Sequence, residues 1–386
     1  MTDANNEPAL ARLRDAFGGA VTATPVPAPS GMGRRVSGID LSTPLNGAQA
    51  EALIGALDDW QIVSLVGQHD MTVLNLERFA NHFGAPIPHP SNVDDYLGGS
   101  TRLKPVQARP STQVNAAFPG VVSVRPGGDS AAAYLVTNLI GSGPDREPEV
   151  HGGQHWHTDI EFEPVPLSTS MFLVDHVPSS RGESGTWVTN PGNEPGFYHP
   201  ESPALLDERR QALPLNGETA YTDTAAAYVA LDEDRRAHLD TLMIRRRLRK
   251  SDDGFLMPLV YVNPRNGMKS LHSPVWASRG KRVAPAQVEG MTDDETRLFL
   301  DELEEHCLAP QFRYDHVHSP GDVTIWSNFS TLHVAPPTKK FVNDPADARL
   351  MYRVSCKGPV ATELPRPDTD EWIAANITPP YRTALA

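Results

Sequence analysis

The stretch His151-Gly-Gly-Gln-His-Trp-His-Thr-Asp159 constrains this chain more than any other. Successive side chains of an extended strand point to opposite faces. His155, His157 and Asp159, at i, i+2 and i+4, should therefore project together, with Ile160-Glu-Phe162 continuing as an extended run. Two imidazoles and a carboxylate on one face can reach a single divalent ion. With other positions left open, that set is the one used for non-heme Fe(II) oxygen chemistry. An isolated His-x-Asp is more often a surface hydrogen bond, so the reading requires a third ligand from elsewhere and a fold that delivers it.

Composition narrows the setting. At 386 residues and 39% hydrophobic content the chain can bury a sizeable core. A formal charge of −14 disfavours nucleic acid and anionic membranes as partners and favours small-molecule chemistry. No apolar run approaches the roughly 18 residues of a membrane span. The start, Met1-Thr-Asp-Ala-Asn-Asn-Glu7, lacks the blocks of a signal peptide, and a cytoplasmic location is expected. Cys307 and Cys356 lack CxxC spacing, which argues for reduced thiols rather than a disulfide framework or zinc ribbon.

Residues 1–33 read as an N-terminal arm, flexible or docked, with an amphipathic segment at 9–17 and the Pro-rich Thr24-Pro-Val-Pro-Ala-Pro29. Residues 34–386 read as a single domain. Strands are expected over 35–41, 61–66, 132–138, 168–174, 321–328, 331–333 and 349–355, with 257–262 and 268–271 paired across Asn266-Gly267. Helices are expected over 48–60, 74–83 stopped by Gly84, 223–250, and 292–306 capped by Thr292. The basic run Arg245-Arg-Arg-Leu-Arg-Lys250 reads as a solvated helix face, residues 85–130 as long loops, and residues near 180–215 as an insertion. The fold class is mainly β with flanking helices around a double-stranded β-helix. Such a jelly-roll, cupin-like core can hold a metal in its mouth.

His333 is the candidate third ligand, although a strand-end His bonded to backbone reads equally well. Its standing rises because Arg349 and Arg353 follow four residues apart on a strand. A guanidinium grips a carboxylate through two parallel hydrogen bonds. Two arginines in so acidic a chain face either internal carboxylates or an anionic ligand.

Together these residues resemble the Fe(II)/2-oxoglutarate-dependent dioxygenases of the taurine dioxygenase (TauD/TfdA) type. Trp156-His-Thr-Asp159 looks like the family's metal motif, Thr324-Ile-Trp-Ser-Asn328 with His333 like its strand and distal ligand, and Arg349-Leu-Met-Tyr-Arg353 like its double-arginine strand. Val36-Ser-Gly-Ile-Asp-Leu41 and Phe83-Gly84 with His89-Pro90 extend the likeness over about residues 34–358.

The resemblance implies that His157, Asp159 and His333 hold Fe(II), and that Arg349 pairs with the distal carboxylate of the co-substrate 2-oxoglutarate. Arg353 matches a position facing the primary substrate. His155 lies outside the motif and is given a pocket role. For the threonine that assists the arginine, Thr219 in Gly217-Glu-Thr-Ala-Tyr221 is preferred over Thr186 in Gly185-Thr-Trp187. The insertion then caps the pocket or packs outside it. The implied reaction couples O2-driven decarboxylation of 2-oxoglutarate to succinate and CO2 with oxidation of an unactivated C–H of a small anionic substrate. Hydroxylation is the default, with desaturation, epimerisation and C–S or C–N cleavage as variants. Asp159 stands where halogenating relatives have a small residue. The rival readings are a zinc-dependent hydrolase and a cupin-like protein that only binds metal or 2-oxoglutarate; assembly as a homo-oligomer is left open.

Overall fold

The computed structural model describes residues 8–87, 117–119, 121, 132–153, 155–162, 166–181, 186–191, 199, 201–247, 249–251, 253–278 and 283–357. Most of the expected loop over 85–130, with His89 and Pro90, lies outside them, as does much of the 180–215 insertion.

The frame is mostly sheet. The larger sheet runs β1 (Thr22–Pro25), β2 (Arg34–Ser37), β3 (Ile62–Leu65), β15 (Val323–Ser327), β7 (Leu167–His176), β18 (Leu350–Lys357) and β4 (Ala85–Ile87), with β5 (Tyr134–Thr137) also on β18. Helix α1 (Pro8–Phe17) buries Ala9, Leu10 and Leu13. A fully buried leucine stabilises by about 2 kcal/mol. The described part of the expected arm is therefore docked, with regular structure ahead of Arg34. Strands β2 and β3 pair in parallel, which needs a crossover, and α2 (Gly47–Trp60) supplies it. A capping box between Asn46 and Gln49 starts that helix.

Helix α3 (Val73–Ala80) stops short of the expected end, giving way to a 3-10 turn over Asn81–Phe83. Gly84 follows at φ 142°, where a Cβ would run into the Lys357 carbonyl.

A smaller sheet, β14 (Arg313–His316), β8 (Thr219–Asp223) and β16 (Thr331–Val334), faces the larger one. Tyr221 and Tyr314 from the small sheet pack in one cluster with Phe172, Val174, Trp326 and Met351 from the large. A ribbon of β6 (Glu149–His151) and β17 (Thr338–Lys340) lies beside them.

The remaining elements sit outside this pair. In the insertion, α4 (Ala204–Gln211) packs on α7 (Asp293–Cys307), whose Thr292 cap takes part in a capping box with Glu295. The helix expected over 223–250 is three elements. Asp223 caps α5 (Thr224–Val229), Asp232 caps α6 (Glu233–Leu239), and the chain then extends as β9 (Met243–Arg246) between β10 (Phe255–Pro258) and β13 (Gln287–Val288). Asp223 starts the first helix at the end of β8, and Asp232 starts the second after α5 has ended. Arg246 is buried within the run expected on a solvated face, its guanidinium donating to the carbonyls of His272 and Ser273. Strands β11 (Val260–Val262) and β12 (Lys269–Leu271) form the expected hairpin, with Gly267 at positive φ.

Candidate active site

His157 and His333 exchange main-chain hydrogen bonds of 3.0 and 2.9 Å, so the motif stretch lies against β16. Their rings stand 4.4 Å apart between centroids. His157 Nδ1 is tied to the His155 carbonyl at 2.7 Å, which directs Nε2 inward. That nitrogen lies 3.7 Å from Asp159 Oδ1, and His333 Nε2 lies 3.5 Å from the same oxygen. All three side chains are buried. One ligand atom from each lies within 4.8 Å of the other two.

The expected extended run after Asp159 does not form. Ile160 takes φ +50°, unusual for a β-branched residue, and 159–162 make a turn. The turn lets Asp159 face back across the site instead of running on along a strand. Ser170 of β7 donates to Asp159 Oδ2 at 2.8 Å, and Arg353 of β18 pairs with the same oxygen. Ser170 is itself held by Ser355 at 2.9 Å and by Asn328 Nδ2 at 3.0 Å. Burial pushes the Asp159 carboxyl up, but the Arg353 charge and then His333 and His157 outweigh it and hold it well below the usual range. It is a carboxylate at any ordinary pH.

Arg349, just before β18, has its backbone pinned through Asn138, whose Oδ1 accepts from the Arg349 N–H at 2.9 Å. Its Nε is buried and has no hydrogen-bond partner among the described residues. Burial lowers its guanidinium to about 10, with Tyr221 acting the other way. Tyr221, fully buried, also has a hydroxyl without a partner among the described residues, and it feels both Arg353 and Arg349. Both arginines thus lie within electrostatic reach of Tyr221, whose ring is 6.1 Å from His333.

Thr219 begins β8 and is buried, with Oγ1 2.8 Å from His318 Nε2. Arg349 is among the charges that act on His318, whose imidazole is kept neutral first by burial and then by His316 and Arg349. Thr186, by contrast, is exposed and bridges through its backbone to Leu215. Next to it Trp187 donates to Asp347 at 2.8 Å, and Lys339 pairs with Asp347 at 3.0 Å, two residues ahead of Arg349. The described insertion therefore divides. Its helix packs on α7, while Trp187 reaches Asp347 in the turn ahead of Arg349. His155 is buried, but its ring is not in the ligand group.

The family model for taurine catabolism dioxygenase TauD, TfdA family, matches residues 23–355. The chain belongs to the TauD/TfdA family. Among TauD/TfdA relatives, an (S)-phenoxypropionate/alpha-ketoglutarate-dioxygenase of Sphingobium herbicidovorans is 26% identical over 234 residues, which is 55% of this chain and 65% of the relative. The match therefore spans just under two thirds of that protein. An alkylsulfatase of Acinetobacter baylyi is 22% identical over 86% of this chain and 84% of its own length. In fold, the chain is similar to a taurine dioxygenase from Burkholderia xenovorans, with a TM-score of 0.55 at 21% identity, covering 90% of this chain and 92% of that one.

The TauD/TfdA cofactors are Fe(II) and 2-oxoglutarate, and the residues present fit both. Two imidazole nitrogens and a carboxylate oxygen are a donor set suited to a ferrous ion with positions left open. The unpartnered buried Nε of Arg349 is a group suited to pair with a carboxylate such as the far one of the keto acid. Ser170, Asn328, Tyr221 and His318 escaped the sequence reading as site residues. The alternation of 168–174 puts Ser170 on one face, and His316-x-His318 repeats the i, i+2 spacing of the metal motif, so faint signals existed for two of them.

Proposed function

We propose that this chain is an Fe(II)/2-oxoglutarate-dependent dioxygenase that oxidises an unactivated C–H of a small anionic substrate on a double-stranded β-helix core. The observation that carries the reading is the cluster of His157, Asp159 and His333 together with the buried, unpartnered Nε of Arg349, since Tyr221 feels the charges of both Asp159 and Arg349. A zinc hydrolase has no use for that guanidinium. Among the described residues no helix is long and apolar enough to cross a membrane. Cys307 and Cys356, both buried free thiols, suit a reducing cytoplasm.

In this reading His157, Asp159 and His333 hold the metal, and Arg349 with Thr219 holds the distal carboxylate of 2-oxoglutarate. Fe(II) with bound 2-oxoglutarate supplies oxygen activation coupled to decarboxylation to succinate and CO2. The chain's residues do the rest. Ser170 and Arg353 fix the Asp159 carboxylate, and the apolar packing around Tyr221 and Trp326 keeps water from the reacting groups. Arg353 keeps 19% of its side chain exposed while the carboxylate it touches keeps 1%, so it spans the ligand and the open pocket. From there it receives the substrate's anionic group, with His155 beside it. The relatives named for phenoxypropionate and for alkylsulfatase activity agree with an anion. Hydroxylation is the default outcome.

The test is anaerobic spectroscopy of the chain with Fe(II) and 2-oxoglutarate against a panel of carboxylates, sulfonates and sulfates. The charge-transfer band appears with 2-oxoglutarate and shifts when the right anion enters. Absence of the band with 2-oxoglutarate sinks the reading.

A further inference from the structure

His318, fully buried on the segment between β14 and β15, belongs to neither the metal set nor the arginine pair. Its Nε2 is 2.8 Å from Thr219 Oγ1, and its Nδ1 is buried without a hydrogen-bond partner among the described residues. The ring is wedged edge-on between Phe172, at 5.8 Å and 85°, and His316, at 4.8 Å and 80°. His316 is anchored in turn by Thr324 at 3.0 Å and Tyr314 at 2.8 Å, and Arg181 donates to the His318 carbonyl at 3.2 Å. A ring so confined meets the threonine in one orientation.

The position of its proton decides what Thr219 can do. With the proton on Nδ1, the idle atom is a buried donor, and Nε2 takes the hydroxyl hydrogen of Thr219. With the proton on Nε2, the idle atom is only a lone pair, and Thr219 accepts while keeping its own hydrogen to give. An idle buried N–H is the harder of the two to tolerate, and the Arg349 charge opposes a doubly protonated ring.

We infer that His318 is a positioning residue that donates from Nε2 to Thr219 Oγ1 and so turns the Thr219 hydroxyl hydrogen toward the Arg349 pocket and the distal carboxylate of 2-oxoglutarate. This rests on the role proposed for Thr219. It also explains why a polar imidazole stands where the surrounding packing is apolar and aromatic.

The experiment is calorimetric titration of 2-oxoglutarate into the full chain loaded with Mn(II), for wild type, Thr219→Val, His318→Phe, His318→Gln and the Thr219→Val/His318→Phe double variant. His318→Phe should weaken binding roughly 10-fold, a lost hydrogen bond to a charged partner, while His318→Gln, whose amide N–H can replace Nε2, stays within about threefold of wild type. Because His318 acts through Thr219, the double variant should be no weaker than Thr219→Val alone. 2-Oxobutanoate, which lacks the distal carboxylate, should bind all of them alike. An unchanged His318→Phe, or a double variant whose losses add, overturns the inference while leaving Thr219 in place. An unchanged Thr219→Val removes the Thr219 role and the inference with it. Nitrogen-15 NMR of the wild-type histidines reads the tautomer without any substitution. A proton on Nε2 supports the inference even where His318→Phe fails to fold, and a proton on Nδ1 ends it.

Discussion

Arg353 sets its guanidinium on Oδ2 of Asp159, while Oδ1 of the same carboxylate faces His157 and His333. In the proposed reading one side chain thus steadies a metal ligand from behind and borders the substrate space in front. Arg353→Ala leaves Ser170 still donating to that oxygen. Metal affinity should fall by about 10–100-fold, as for other supporting contacts at metal sites, and turnover of the anionic substrate should collapse. Arg353→Lys restores the charge but not the fork, so it should recover metal binding and not the substrate. Mn(II) titration and substrate turnover separate these effects; unchanged turnover in Arg353→Ala would remove the substrate role.

Asp159→Ala and His333→Ala each delete one of three converging donors. Both should abolish Fe(II) binding and oxygen uptake. Succinate release at the wild-type rate in either variant is the result that would dissolve the triad.

Arg349→Leu should raise the 2-oxoglutarate requirement by at least about 10-fold, the low end for supporting contacts at such sites, with Fe(II) affinity intact. The measurement is the 2-oxoglutarate dependence of succinate formation. A curve that overlays wild type contradicts the clamp.

Stability should depend on pH through two buried imidazoles. Burial pushes His272 down to about 3, with Arg246 adding to it, and His316 down to about 3, with Arg35 adding. An unfolded imidazole titrates near about 6.5. A base whose folded value is lowered contributes fully above 6.5. As pH falls from there toward 3, the unfolded chain binds protons that the folded chain refuses, and stability is lost. By pH 5 the loss is about 2 kcal/mol per imidazole. Urea unfolding at pH 7 and pH 5 should show it, and His272→Leu should flatten the difference, since neither nitrogen of that ring has a hydrogen-bond partner among the described residues.

Arg210 of α4 reaches Glu304 at 2.5 Å and Asp301 at 3.2 Å on α7, all three buried. Arg210→Ala strands Glu304 and leaves Asp301 the Arg297 guanidinium at 3.6 Å, and should cost about 3–5 kcal/mol. Adding Glu304→Gln and Asp301→Asn should recover much of it. Thermal melts of the three forms decide, and metal affinity should not move if the helix packs only on the outside.

The parts legible in the sequence were those whose signal is local. Thr292 marks a helix start by chemistry confined to its first turn, and Asn266-Gly267 marks a hairpin. The proximity of His157, Asp159 and His333 could be inferred because each sits in or beside a strand bearing its own motif. What failed depended on partners far along the chain. Arg246 looked solvated because its acceptors, the carbonyls of His272 and Ser273, are 26 and 27 residues away. Ile160 looked extended because nothing in its neighbours announces a left-handed residue. The arm expected over 1–33, flexible or docked, has its described part held by the pairing of β1 with β2 and the packing of α1 on α2, contacts that periodicity does not announce.

Because His157 and His333 are joined backbone to backbone, their imidazoles are set side by side during folding, before any ion arrives. The entropy of gathering two distant ligands belongs to folding and not to capture. Loading should therefore be limited by how fast the ion sheds its water. Escape should wait on the opening of a strand end instead of the flip of a side chain, so the holoprotein should surrender its metal to chelators slowly.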